Sequence, residues 1–325
     1  MIHITEEMVK NTYKMKDCLQ DVERAFRYYM NDEITTPVRL NVQHSQEEAN
    51  SLYMPSYVAP IEFASTKIVS IFPQNTQKGK KALQSLIVLT ETNSGQHVAT
   101  IEASYLTTLR TGAMSGIATK HFARQNSSIC AIIGCGAQAL GQIQAVMEVR
   151  SLTHILLINR TMQKAYEFKK QLLSMYPEWN GTIEIIESAN EAVSIADIII
   201  CSTTSTTPVF DGNNLKNGTH INGIGSYQPH MQELDVTTLQ RSNKIIVDTL
   251  EGVRHEAGDF LVAIEKNEWD FSNIYSELGD IITGHKNGRT HSDEITLFKS
   301  VGVAFLDTVV ANSIYQKHKE KSLVK

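Results

Sequence analysis

The chain has 325 residues, 42% hydrophobic and 20% charged, a composition that excludes disorder as its main state and suggests two domains. Thirty Lys and Arg against 35 Asp and Glu leave a net charge of −5, and aromatics make up only 7%; this excludes the bulk positive field and stacking platforms of a nucleic-acid binder. No stretch reaches the ~18 apolar residues of a membrane span, and the start Met1-Ile-His-Ile lacks a basic, apolar leader, so a cytoplasmic protein is expected.

Residues 5–30 read as one helix, with Val9, Tyr13, Met15, Leu19, Val22, Phe26 and Tyr29 at helical spacing. Thr36-Pro37-Val38-Arg39-Leu40-Asn41-Val42 alternates after a proline and reads as a strand. Residues 53–58, 64–72 and 85–90 continue as strands. The last runs into the turn Asn93-Ser94-Gly95, with 98–101 as its hairpin partner. The chain thus begins with a helix and a mostly antiparallel sheet.

The period then changes. Residues 103–123 are rich in Ala, Leu and Thr and read as a helix. Short apolar strands at 129–133, 155–158, 183–187 and 198–202 alternate with helices at 138–149, 162–175 and 189–194, and further strands stand at 219–224 and 244–248. Such alternation implies a parallel sheet covered on both faces. A last helix is expected from Asp293 to about Lys319, with Ser292 as N-cap and Asp293 and Glu294 in its first turn. The fold class is α/β. A parallel-sheet domain at 114–302 is inserted into an α+β domain made of 1–113 and 303–325.

The strand Ile129–Ile133 runs directly into Gly134-Cys135-Gly136-Ala137-Gln138-Ala139, a G-x-G-x-x-A pattern that opens a helix. Gly134 permits the tight turn, Gly136 lets backbone approach a pyrophosphate, and Ala139 permits close helix–strand packing. The intact strand–loop–helix–strand context favours a Rossmann dinucleotide site over an ordinary turn. The second strand ends in Asn159-Arg160-Thr161, without the carboxylate that accepts ribose hydroxyls in NAD-type sites. A guanidinium and a hydroxyl there suit a 2′-phosphate, so NADPH is expected over NADH. The alternative is that Arg160 is solvated or stacks on adenine.

Three cations stand in apolar or small-residue surroundings: Arg39, Lys67 and Arg110. Burying such a charge requires a partner. A substrate carboxylate would serve, as would an internal salt bridge or a turn of the side chain to solvent. The four cysteines, Cys18, Cys130, Cys135 and Cys201, form no C-x-x-C pair and no zinc-ligand spacing with His. Reduced, partly buried thiols and no metal are expected.

Met54-Pro55-Ser56, Ser65-Thr66-Lys67-Ile68-Val69, Leu109-Arg110-Thr111-Gly112-Ala113, the glycine loop, Gly225-Ser226 with Glu233-Leu234-Asp235, Glu277-Leu278-Gly279-Asp280 and the segment from Asp293 to Gly302 stand in order. Together they resemble the ornithine cyclodeaminase/μ-crystallin family over nearly the whole chain. The resemblance implies a homodimer whose 1–113 and 303–325 segments form the dimerisation and substrate-binding domain. It implies a carboxylate grip of Arg39, Lys67 and Arg110, with Lys67 as candidate proton donor, and it places Thr111 and Ser300 near the cofactor. The expected cofactor-binding set is Thr111, Gly134, Gly136, Ala137, Gln138, Ala139, Asn159, Arg160, Thr161, Ser202, Thr203 and Ser300. Asn159-Arg160-Thr161 resembles the NADPH-using members, of which μ-crystallin is one.

The sequence departs from the cyclodeaminases in one loop. Theirs resembles G-x-D-x-P-G-K-x-E-L, with the Asp as acid/base. This chain reads Gly225-Ser226-Tyr227-Gln228-Pro229-His230-Met231-Gln232-Glu233-Leu234. A tyrosine, with an ordinary pKa of about 10, is a poor base near neutrality. Reduction of a protonated imine asks less, and Tyr227 would donate a hydrogen bond or shape the pocket. The loop looks more like those of ketimine and Δ1-pyrroline-2-carboxylate reductases. The expected activity is therefore NAD(P)H-dependent reduction of a small cyclic imino acid, with Lys67, Arg110 and Tyr227 at the chemistry. The alternatives are ornithine cyclodeaminase, an alanine or opine-like dehydrogenase, and a non-catalytic NADPH- and ligand-binding protein. His220 reads as a packed core residue and Asp307 as a structural contact. Glu102 reads as a residue orienting Lys67 or Arg110, and His230 as a proton relay or a plain loop histidine. No nucleic-acid or membrane partner is expected.

Overall fold

The computed structural model describes residues 1–44 and 49–323. The chain divides into two units, Met1–Arg110 with Val303–Lys325, and Thr111–Gly302. Residues 324–325 of the expected 303–325 segment lie outside the described residues.

The first unit opens with β1 (Ile2–Ile4), α1 (Glu6–Thr12) and α2 (Met15–Met30). The single helix expected over 5–30 is therefore two. Tyr13 and Lys14 are extended between them. Tyr13 is buried and its hydroxyl donates to Asp21 at 2.6 Å, while Asp17 accepts from the Lys14 amide at 3.0 Å and starts the second helix. In α2, Met15, Cys18, Val22, Ala25 and Phe26 recur at helical spacing and are buried.

The strands β2 (Ile34–Thr35), β3 (Leu40–His44), β4 (Ala49–Val58), β5 (Phe63–Ile71), β6 (Leu83–Glu91) and β7 (His97–Glu102) complete a sheet of order β1-β7-β6-β5-β4-β2, with β3 also on β4. Among the described strands of this sheet only the β1–β7 pair is parallel. The strand expected over 36–42 begins only at Leu40, beyond Pro37, which has no N–H for a ladder. Along β5, Phe63, Ser65, Lys67 and Val69 are buried and alternate with less buried neighbours. Then α3 (Ser104–Phe122) follows, and the boundary between the units falls inside it.

The second unit contains β8 (Ile129–Ile133), α4 (Ala139–Val149), β9 (His154–Ile158), α5 (Met162–Met175), β10 (Thr182–Ile185), α6 (Ala189–Ile195), β11 (Ile198–Cys201) and β12 (His220–Gly223). It continues with α7 (Val236–Arg241), β13 (Lys244–Val247), α8 (Leu250–Glu256), α9 (Gly258–Glu265), β14 (Ile274–Glu277), α10 (Leu278–Thr283) and β15 (Thr296–Lys299). All strands pair in parallel, in the order β10-β9-β8-β11-β12-β15-β13-β14. Alternate residues of one strand enter different cores: Ala131 and Ile133 one, Cys130 and Ile132 the other. Both sheet faces are thus covered, as continuous apolar strands require.

The helix expected from Asp293 does not form there. Residues Thr296–Lys299 are instead a strand between β12 and β13, every residue of it buried. A strand buried on both faces has no period-2 signature, and Asp293-Glu294 in front of it imitates a helix start. Glu294 in fact accepts from the amide and hydroxyl of Thr290, at 2.9 and 2.8 Å. The last helix, α11 (Phe305–Leu323), belongs to the first unit, where it packs on β4, β5, β6 and α2. The Thr308 hydroxyl bonds those of Ser56 and Ser65 at 2.8 and 2.7 Å. Among the described residues no helix is long and apolar enough to cross a membrane.

Candidate active site

In the first unit, strand alternation points Lys67 toward the face that α11 covers, and α11 carries Asp307. Lys67 Nζ lies 2.6 Å from Asp307 Oδ2, and Arg110 Nε lies 3.2 Å from Asp307 Oδ1. All three side chains are buried. Asp307 is therefore the carboxylate that partners both cations, a larger role than the structural contact expected from its place in the sequence. Burial brings the Lys67 pKa down to about 8; Asp307 pulls it up, and the charges of Arg110 and Arg39 push it down. Arg39 is half-buried, so its charge is felt at Lys67. Arg110 meets Asp307 through Nε only, and its two terminal nitrogens make no hydrogen bond with a described residue. That free fork edge has the geometry for a carboxylate.

Glu102 does not orient Lys67 or Arg110. Its carboxylate accepts from the Glu6 amide at 2.7 Å, capping the start of α1. No spacing signal could have revealed that partner, because it stands 96 residues away in the chain and is brought alongside only by the parallel pairing of β1 with β7.

In the second unit, β8 pairs with β9 on one side and β11 on the other, so the strand order reverses direction there. Loops leaving the carboxyl ends of such strands bound a crevice. A cleft of ≈ 720 Å³ opens at this point. Gly134, Gly136, Asn159, Arg160, Thr161, Ser202 and Thr203 all line it, joined by Lys164 and Glu187, which the sequence did not single out. Lys164 is the third residue of α5, and a second cation close behind Arg160 in the sequence is the signal that could have found it.

The glycine loop is built for its place. Gly134 has φ +95°, and a Cβ there would also press on the Ser202 carbonyl at 2.8 Å. The Ser202 hydroxyl donates to the Gly134 carbonyl at 2.8 Å, and Asn159 Oδ1 accepts from the Cys135 amide at 3.0 Å. At Gly136 the space is open: a Cβ there would meet only the Ser202 carbonyl, at 4.0 Å. This open cradle at the start of α4 fits the pyrophosphate of a dinucleotide. Arg160 is exposed at the cleft and makes no hydrogen bond or ion pair with a described residue, so its charge is available to a ligand.

The other expected residues lie outside the cleft lining. Ala137 and Gln138 lead into α4, and Ala139 is fully buried as its first residue. Thr111 is buried on α3, and Ser300 is buried with its hydroxyl donating to Asp248 at 2.7 Å. Tyr227 is half-buried and packs against the apolar core of the unit. His230 is exposed. His220 is buried against Thr296 at 2.9 Å, and burial lowers its pKa to about 3, so it stays neutral. All four cysteines are free and buried.

Residues 1–322 match the profile of the Ornithine cyclodeaminase/mu-crystallin family. The Delta(1)-pyrroline-2-carboxylate reductase of Bacillus cereus (strain ZK / E33L) is 37% identical over 323 residues, covering 99% of this chain and 98% of the relative. The alanine dehydrogenase of Archaeoglobus fulgidus is 33% identical, covering 98% of this chain and 96% of the relative. Among solved structures, the Thermococcus litoralis Delta(1)-pyrroline-2-carboxylate reductase in complex with NADH and L-proline superposes with a TM-score of 0.94 at 37% identity, covering 99% of this chain and 98% of that one.

Proposed function

This chain belongs to the ornithine cyclodeaminase/mu-crystallin family, and from that premise we propose that it is a nicotinamide-dependent reductase of small cyclic imino acids of the Δ1-pyrroline-2-carboxylate kind. The observation that carries the reading is the buried Lys67–Asp307–Arg110 cluster. An ammonium whose pKa is brought down to about 8 is acidic enough to serve an imine nitrogen near neutrality, and the adjacent guanidinium edge suits a carboxylate.

Each unit supplies one part of the chemistry. The bound nicotinamide supplies the hydride. Gly134 and Gly136 hold the pyrophosphate against the start of α4, and Asn159 keeps the loop closed on β9. Lys67 Nζ gives its proton to the substrate nitrogen, and Asp307 steadies the ammonium before transfer. Arg110, with Arg39, holds the carboxylate. Tyr227 stabilises its loop through its packing, in the place where the cyclodeaminases carry a carboxylate, which supports reduction over ammonia release. Arg160 favours NADPH, since a 2′-phosphate would meet an available guanidinium.

The first unit supports a homodimer. The sheet face opposite α11 carries Leu40, Val42, Tyr53 and Tyr57, exposed among the described residues, an apolar surface that a second copy would bury. Four free, buried thiols suit the cytoplasm.

The test is to follow oxidation of NADPH and NADH with Δ1-pyrroline-2-carboxylate and Δ1-piperideine-2-carboxylate, and to assay ammonia from ornithine. Imine-dependent oxidation, faster with NADPH, is the expected result. Ammonia with proline formation would refute the reductase reading.

A further inference from the structure

One buried acidic cluster of the second unit takes no part in the hydride and proton transfers. The Glu233 carboxylate accepts from the Thr203 amide at 2.5 Å through Oε1, and from the amides of Gly225 at 2.6 Å and Ser226 at 3.2 Å through Oε2. Thr203 lies just beyond β11 and lines the cleft. Gly225 and Ser226 lie just beyond β12 and lead directly into Tyr227. One side chain thus joins the two loops at the carboxyl ends of neighbouring strands.

The support beneath it is equally specific. Asp259, in the first turn of α9, accepts from the amides of Glu233 at 2.6 Å and Leu234 at 2.9 Å through Oδ1. Its Oδ2 pairs with Lys299 Nζ of β15 at 2.7 Å, and both side chains are wholly buried. The approach of the loops also requires glycine. A Cβ on Gly225 would collide with the Thr203 backbone and press on Glu233 Oε1, and a Cβ on Gly258 would collide with the Met231 carbonyl. Loop 225–234 is therefore clamped from both sides.

We infer that Glu233 is a positioning residue that ties the dinucleotide loop at Thr203 to the loop carrying Tyr227, so that both keep one geometry for the cofactor. Three amides converge on a carboxylate whose own main chain is held by a second carboxylate, and a buried polar hub of this kind specifies one arrangement of its loops. Burial pushes the Glu233 carboxyl up to about 7, with Lys299 pulling it down and Asp259 pushing it up. The cost of burying that charge is offset only if the amides stay in place.

The inference rests on the dinucleotide reading of the cleft but not on the identity of the imino acid. The experiment compares the full-length protein with Glu233→Gln, whose amide nitrogen cannot accept from the loops. Cofactor affinity is read by fluorescence titration of NADPH and NADH, and turnover at saturating cofactor by kcat and KM. Loss of a charge-assisted buried hydrogen bond predicts cofactor binding weakened about tenfold or more, with kcat lowered. The imino-acid KM stays within about twofold, because the contacts assigned to Lys67 and Arg110 involve none of the Glu233 hydrogen bonds. A folded Glu233→Gln protein with unchanged cofactor affinity and kcat overturns the inference. Hydrogen exchange on the wild-type protein keeps it testable if that variant does not fold. Slow exchange of the Thr203, Gly225 and Ser226 amides is expected, and exchange of any of them at the rate of an open loop overturns it. If the wild type binds cofactor yet reduces no imino acid, the substrate reading fails while the binding and exchange results still judge Glu233.

Discussion

Asp307 Oδ2 lies 2.6 Å from Lys67 Nζ, with both side chains buried from solvent. The same carboxylate reaches Arg110, so one anion is shared between two cations. A site of net positive charge results. Its excess of positive charge favours an incoming carboxylate.

Removing that anion tests the arrangement. Asp307→Asn strands two buried cations and is expected to destabilise the protein by about 3–5 kcal/mol in urea unfolding. Adding Lys67→Met to it should restore part of the loss. If the double variant is no more stable than Asp307→Asn alone, the ion pair does not carry the energy attributed to it.

Lys67→Met by itself separates chemistry from cofactor binding. Turnover should fall by about 10²–10⁴, the usual contribution of a positioned proton donor. Cofactor titration should remain as in the wild type, because the cleft residues belong to the other unit. Normal turnover would remove Lys67 from the mechanism.

The pH dependence has a definite sign. A proton donor acts only while protonated, so kcat/KM for imine reduction should fall as pH rises through about 8 rather than near the ordinary 10.5. Oxidation of the corresponding amino acid should rise over the same range. Folding also benefits. The unfolded chain holds this proton more tightly, so stability from Lys67 increases with pH between the folded value of about 8 and the unfolded 10.5. A reductase profile flat through about pH 9 would exclude Lys67 as the donor.

Arg160 is the residue expected to set cofactor choice. Replacing it by Ala should weaken NADPH binding about tenfold or more, the worth of a lost charge-assisted contact, and leave NADH within about twofold. Equal losses for both cofactors would mean that Arg160 touches a part common to both, such as adenine.

Gly112→Ala addresses packing alone. A Cβ at Gly112 on α3 would collide with the Gly141 carbonyl on α4. The helices would have to part, at a cost of about 1–3 kcal/mol seen as a lowered Tm. An unchanged Tm would show that α3 and α4 can shift without loss.

Local signals carried much of this protein. The expected strand at Ile129–Ile133 and helix at Met162–Met175 match the structure residue for residue. The glycine loop and Asn159-Arg160-Thr161 do meet at one cleft. Those features depend on neighbours within a strand–loop–helix unit, where periodicity and backbone conformation act over short spans. The splitting of the first helix at Tyr13 and the displacement of the last by β15 were not legible. In each, a buried contact overrode the local pattern.

The difference is sharpest at the charges. Composition and spacing along the chain mark Arg39, Lys67 and Arg110 as cations in surroundings that demand a partner, because a charge among apolar residues is costly to bury. Which carboxylate answers that demand cannot be read from spacing, since Asp307 stands 197 residues from Arg110. It depends on α11 returning to lie on β4 and β5, and on strand alternation turning Lys67 toward it. A salt bridge acts over a few ångströms of space and has no signature along the chain, so folding alone brings its members together.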